Sequence, residues 1–149
     1  MATFEMTADN FQQTIDDNSI VLIDYWAEWC GPCRAFGPIF EKASESNPDI
    51  TFAKCDTEAQ RELAAAFNIR SIPTLMVFRE GVLLYNQPGM LPAPALNELI
   101  SKVRELDMED VRRKIAEAEK EHDHDHDHDH HHDHDHDHHH DHDHDHGSN

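Results

Sequence analysis

Val21-Leu22-Ile23-Asp24-Tyr25-Trp26-Ala27-Glu28-Trp29-Cys30-Gly31-Pro32-Cys33-Arg34 is the stretch from which the rest of the chain is read. Its first half, joined to Ile20, is a continuous apolar run over 20–23 that carries on through one acid, Asp24, to Tyr25, Trp26 and Ala27. A β-branched run of this kind reads as a strand covered on both faces, as in the middle of an α/β sheet. Its second half sets two cysteines two residues apart where that strand gives way to a helix carrying Phe36, Ile39, Phe40 and Ala43. Pro38 lies inside this helix and predicts a kink, because it lacks an amide hydrogen and crowds the preceding turn.

Two cysteines so spaced at a helix start can close a small disulfide ring. They also lie where unpaired backbone N–H groups and the helix dipole favour negative charge. Cys30 is expected to be the more exposed and to form its thiolate nearer neutral pH, with Cys33 shielded inside the first turn. Disulfide exchange needs that asymmetry, since one thiolate attacks and a protected neighbour resolves the mixed disulfide. The alternative is half of a zinc site, which needs further ligands. Cys55 is the one other thiol, and the first 121 residues hold no histidine, so only the C-terminal histidines could complete it by folding back. Asp24, an acid within an apolar strand, is expected to have a raised pKa suited to proton uptake near neutrality.

Outward from this centre, Thr7 predicts a helix cap with Phe11 and Ile15 on one face, and residues 16–19 a polar turn. Residues 49–56 read as a second strand, and residues 58–67 as a helix with Leu63, Ala66 and Phe67 inward. Residues 74–78 read as a third strand, turned by Glu80-Gly81 into an antiparallel return over 82–85. Residues 95–106 form a helix with Leu96, Leu99, Ile100 and Val103 on one stripe. Strands alternating with helices imply a largely parallel sheet, which the closing hairpin converts to a mixed one. Asp107 is placed to cap one more helix, 108–120, with a thin stripe of Met108, Val111, Ile115 and Ala118. It could dock on the body, pair with another chain, or serve as a charged spacer, since short helices are marginal without packing. Cys55, on a central strand, reads as a buried inert thiol.

The quoted segment resembles the active-site segment of the thioredoxins nearly residue for residue. Further matches follow in order: Pro38, Lys54, Ile72-Pro73-Thr74, Gly81 and Gly89. The resemblance covers about residues 3 to 106 and implies an α/β thioredoxin fold, a central mixed β-sheet flanked by helices on both faces. It implies Cys30 as nucleophile, Cys33 as resolving thiol, Asp24 as the buried carboxylate behind Cys33, and Lys54 modulating that acid. It also implies a cis Pro73 facing the disulfide and a substrate lip of Trp29, Gly31, Pro32, Ile72, Pro73 and Gly89, with Trp26 buttressing the site. The redox centre would be the Cys30–Cys33 disulfide, with no separate cofactor. Gly31-Pro32 resembles the reducing members, whereas isomerases and periplasmic oxidants of this fold typically carry a histidine between the cysteines. Partners would be a thioredoxin reductase and disulfide-containing proteins. The loop Asn86-Gln87-Pro88-Gly89-Met90-Leu91-Pro92 departs from the family pattern, being richer in proline and apolar side chains.

Composition divides the chain. All fifteen histidines lie in the C-terminal run, and all twelve Lys and Arg lie before it. The body carries a formal charge of −9 and the run −10, which disfavours nucleic acid as a partner. No apolar stretch approaches the roughly 20 residues of a bilayer span, and the N-terminus lacks a secretory pattern. The expectation is a cytoplasmic monomer with no membrane partner. Three domains are expected: 1–106, a charged helical extension at 107–121, and a disordered tail at 122–149 with no apolar side chain to bury. The candidate metal ligands are His122, His124, His126, His128, His130, His131, His132, His134, His136, His138, His139, His140, His142, His144 and His146. Imidazoles interleaved with carboxylates suit nickel, zinc or copper. The same run also fits an affinity tag or a pH-responsive solubilising tail. A metal-binding or storage protein using a thioredoxin body as carrier therefore stands as the alternative function.

Overall fold

The computed structural model describes residues 2–120 of the protein, so the histidines expected to bind metal lie outside the described residues. Among the described residues, 2–105 form one compact unit, and a second begins at Leu106. In chain order the first unit runs β1 (Thr3–Glu5), α1 (Ala8–Asp17), β2 (Ile20–Trp26), α2 (Gly31–Ser46), β3 (Thr51–Asp56), α3 (Arg61–Ala66), β4 (Thr74–Arg79), β5 (Val82–Pro88) and α4 (Ala93–Glu105). Among the described residues the strands form one sheet of order β1-β3-β2-β4-β5. The β1–β3 and β2–β3 pairings are parallel, and the β2–β4 and β4–β5 pairings antiparallel. The sheet is therefore mixed, and the mixing begins at the β2–β4 pairing, before the chain returns along β5.

β2 is central and all but its last residue are buried, because both faces are covered. Ile20 and Leu22 pack with Phe36, Phe40, Leu96 and Ile100 of α2 and α4. Val21, Ile23 and Tyr25 pack with Ile15 and Leu63 of α1 and α3. Side chains alternate along a strand, so Asp24 falls on the α2/α4 face. That alternation sends a carboxyl, rather than a hydrocarbon, toward the helix that carries the cysteines.

The helix starts are locally encoded. Thr7 caps α1 through a reciprocal pair: its Oγ1 accepts from Asn10 N at 3.3 Å, and Asn10 Oδ1 accepts from Thr7 N at 2.8 Å. α2 runs without a break through Pro38. In the second unit residues 108–120 are helical, and Asp107 Oδ1 accepts from the Glu109 and Asp110 amides.

β3 begins at Thr51 rather than residue 49, β4 runs on to Arg79, and α4 spans Ala93–Glu105 rather than 95–106. Four larger details also differ from the sequence expectations. β1 is an additional edge strand. α3 begins at Arg61 rather than residue 58, because Asp56 Oδ1 draws the Glu58 and Ala59 amides into a turn. In this helix Ala64, and not Ala66, is buried with Leu63. β5 continues through Pro88, past residue 85, because a register shift at Val77/Phe78 lets pairing persist to Thr74↔Pro88.

Candidate active site

Cys30 is the N-cap of α2, with Gly31 and Pro32 opening the first turn. Proline is suited there because its missing N–H would have had no helical partner. The Cys33 amide donates to Cys30 Sγ at 3.2 Å, so the helix supplies the sulfur with one of its orphan donors. Cys30 and Cys33 are joined by a disulfide with Cα atoms 5.3 Å apart. The preceding loop is clamped by Arg34, whose Nε and Nη2 both donate to Glu28 O at 3.2 and 2.9 Å.

The expected difference in exposure is absent: both cysteines are 4% exposed. The disulfide ties Cys30 back into the first turn, which equalises the two. What distinguishes them is what each faces. Cys30 Sγ lies 3.7 Å from Ile72 O. Cys33 lines a cleft of about 410 Å³ together with Trp26, Ala27, Glu28, Arg34, Gly37, Pro38, Glu41 and Lys54.

The Ile72–Pro73 peptide is cis. Pro73 O accepts from Gly89 N at 2.7 Å, which brings the end of β5 to the loop that faces Cys30. Gly89 has φ +104°, a conformation that suits a residue without a Cβ. Trp29 is 66% exposed, and its Nε1 donates to Glu58 Oε2 at 3.3 Å. Gly31 and Pro32 are exposed beside it in sequence, and Met90 follows Gly89 at 40% exposure.

Asp24 is fully buried, and neither carboxyl oxygen has a hydrogen-bond partner among the described residues. Burial pushes its pKa up from 3.8 to about 7, against a smaller opposing pull from the Lys54 charge. Lys54 stands opposite Asp24 in the β2–β3 register, and its Nζ lies 4.9 Å from the centroid of the Trp26 ring. Cys55 is a buried free thiol on the opposite face, among Val21, Ile23 and Tyr25. Desolvation first, then the charges of Asp56, Glu5 and Asp24, push it up to about 12, so it is not a nucleophile at neutral pH.

The sequence reading missed the Arg34 clamp, the Glu58 contact to Trp29 and the seating of Lys54 on Trp26. A glutamate or lysine far away in sequence gives no sign of which indole it meets. Among the described residues no group of three or more His, Cys, Asp or Glu could hold a metal, which leaves the zinc reading of the cysteine pair without further ligands there. Among them also, no helix is long and apolar enough to cross a membrane.

A family model described as Thioredoxin matches residues 2–102. The chain is 60% identical over 116 residues to "Putative thioredoxin 2" of Streptomyces coelicolor, covering 78% of this chain and 87% of that one. It is 39% identical to a thioredoxin of Alicyclobacillus acidocaldarius, covering 68% and 98% respectively. A solved structure of a mutant thioredoxin from Halobacterium salinarum superposes with a TM-score of 0.66 at 32% identity, covering 70% of this chain and 93% of that one. Members of this family do their redox work with a protein disulfide rather than a bound cofactor, and Cys30–Cys33 is that disulfide here. The chain belongs to the thioredoxin family and is a thioredoxin-type disulfide oxidoreductase.

Proposed function

We propose that the protein works mainly as a protein-disulfide reductase. The Cys30 thiolate attacks one sulfur of a substrate disulfide, forming a mixed disulfide and releasing the other substrate sulfur as a thiolate, which takes a proton. Cys33 then gives its proton to the Asp24 carboxylate and attacks Cys30 Sγ, which expels the second substrate sulfur and closes the Cys30–Cys33 disulfide. Both electrons come from the Cys30/Cys33 dithiol, which a thioredoxin reductase restores. Lys54 tunes the acid. Trp29, Gly31, Pro32, Ile72, Pro73 and Gly89 hold an extended substrate segment across the disulfide.

The observation that carries this reading is Cys30 at the cap of α2, with the Cys33 amide at 3.2 Å and the Ile72 carbonyl at 3.7 Å. An amide directed at the sulfur stabilises a thiolate, and the loop backbone at Ile72, just before β4, presents a carbonyl to which an extended substrate could pair. The Gly-Pro dipeptide supports the reducing direction. A reducing compartment such as the cytoplasm, where such a dithiol is regenerated, completes the proposal.

The test is turnover of a protein disulfide coupled to thioredoxin reductase. Cys30→Ser is expected to abolish turnover, and Cys33→Ser to accumulate mixed disulfides with substrate. Normal turnover by Cys33→Ser would reverse the assigned roles.

A second property rests on composition. We propose that 1–106 is the catalytic domain, 107–121 an extension, and 122–149 a segment whose fifteen histidines bind nickel, zinc or copper. A version ending at Glu121 is expected to keep reductase activity and lose most metal capacity. Unchanged metal capacity would remove the histidines from the proposal.

A further inference from the structure

Lys54 is the cation nearest in register to Asp24, yet among the described residues it forms no ion pair and no side-chain hydrogen bond. Both Asp24 oxygens are likewise without a partner. Glu41, the α2 carboxylate lining the same cleft, is already taken: Thr3 Oγ1 donates to its two oxygens at 2.8 and 3.0 Å. The Lys54 ammonium is instead found 4.9 Å from the Trp26 centroid. A flexible four-carbon side chain with no such seat would spread into the water of the cleft. At Gly37, which lines the same cleft, an added Cβ would be 3.8 Å from Nζ, an ordinary contact.

We infer that Trp26 is a positioning residue for the Cys33 step: its indole face holds the Lys54 ammonium between the cleft and the buried Asp24 carboxyl. The inference rests on the proposed proton-acceptor role of Asp24. Trp26 has the right address, two residues after Asp24 on the same strand and hence on the same sheet face. A cation held over an indole face is attracted by the ring quadrupole, most strongly for Trp among the aromatics. The other charged or titratable groups lining the cleft are Cys33, Arg34 and Glu41 of α2 and Glu28 in the loop between β2 and α2, while Cys55 and Asp56 follow Lys54 on β3. β4 places Leu75 opposite Asp24. Lys54 is the cation whose charge opposes the effect of burial on Asp24.

The test follows the Asp24 carboxyl carbon by NMR titration in the oxidised full chain, where the disulfide keeps Cys30 and Cys33 from titrating. Lys54→Met is expected to raise the Asp24 midpoint by about 1 pH unit, as loss of a nearby opposite charge does. Trp26→Leu is expected to raise it by about half as much, and Trp26→Phe, which keeps a ring face, by less. In the Lys54→Met background neither Trp26 change is expected to add anything. A Trp26 shift of the same size with and without Lys54 would make the tryptophan merely structural, and no shift in any Trp26 variant would overturn the inference. Should the leucine variant fail to fold, the phenylalanine variant compared in the two backgrounds decides the matter. The oxidised protein does not turn over, so this result stands apart from the kinetic role of Asp24.

Discussion

Asp24 can be ionised only at the expense of the fold. Its unfolded value lies near 3.8 and its folded value near 7. Below about pH 4 both states hold the proton and nothing is lost. Between about pH 4 and 7 the unfolded chain has released its proton while the folded chain retains it, so stability falls as pH rises. Above about 7 the loss is complete, on the order of 4 kcal/mol. Asp24→Asn removes the titration. The stability advantage of that variant over the parent, from denaturant melts of the oxidised proteins, is expected to grow by about 2–3 kcal/mol between pH 5 and pH 8. A constant difference would show that Asp24 ionises as a normal carboxyl. The same property that weakens the fold suits the group to the proton exchange with Cys33 proposed above, and a functional acid in a core strand is a known kind of trade between stability and activity.

At the scale of elements, helix α1 depends on its cap. Thr7→Ala removes the hydroxyl that accepts from Asn10 N, and is expected to cost about 1 kcal/mol by urea denaturation without change in the redox centre. A loss of under about 0.2 kcal/mol would mean that water replaces the cap fully. This cap was legible in the sequence, as were the buried β2 and the cysteine-bearing start of α2, because each is specified by neighbours within a few residues. β1 was not, since three edge residues with little burial leave no periodicity. The start of α3 was missed because it is set by a side-chain contact from Asp56. In the site, the cysteine pair could be read from local chemistry alone. Ile72, Pro73 and Gly89 came from family resemblance, and the Lys54–Trp26 contact needed the β2–β3 register.

For the molecule as a whole, charge is the distinguishing property. The formal charge is −19 with neutral histidines, and the fifteen histidines can raise it by as much as 15 on protonation. The unperturbed histidine pKa is about 6.5. Electrophoretic mobility of the full chain is therefore expected to fall steeply toward neutral between about pH 8 and 5.5. A version ending at Glu121 has no histidine and is expected to change little over that range. Equal pH dependence in the two would mean that the histidines are held in one protonation state. Repulsion from an acidic body also favours substrates that are not strongly acidic themselves.

The antiparallel run of β4 against β2 makes the catalytic centre a gauge of strand register. Cys30 follows the end of β2, and Ile72 precedes the start of β4, so opposite directions bring them to one edge of the sheet. Had β4 run parallel to β2, its six residues would have carried Ile72 about 20 Å away. A slip of one residue would turn every side chain of β4 to the wrong face, and a slip of two would carry the Ile72 carbonyl about 7 Å from its place beside the Cys30 sulfur. Circular dichroism would barely notice such a slip, whereas disulfide exchange with a protein substrate would stop. Enzyme activity thus counts correctly paired molecules, and in a refolding mixture it separates native sheets from sheets that merely contain the right amount of strand.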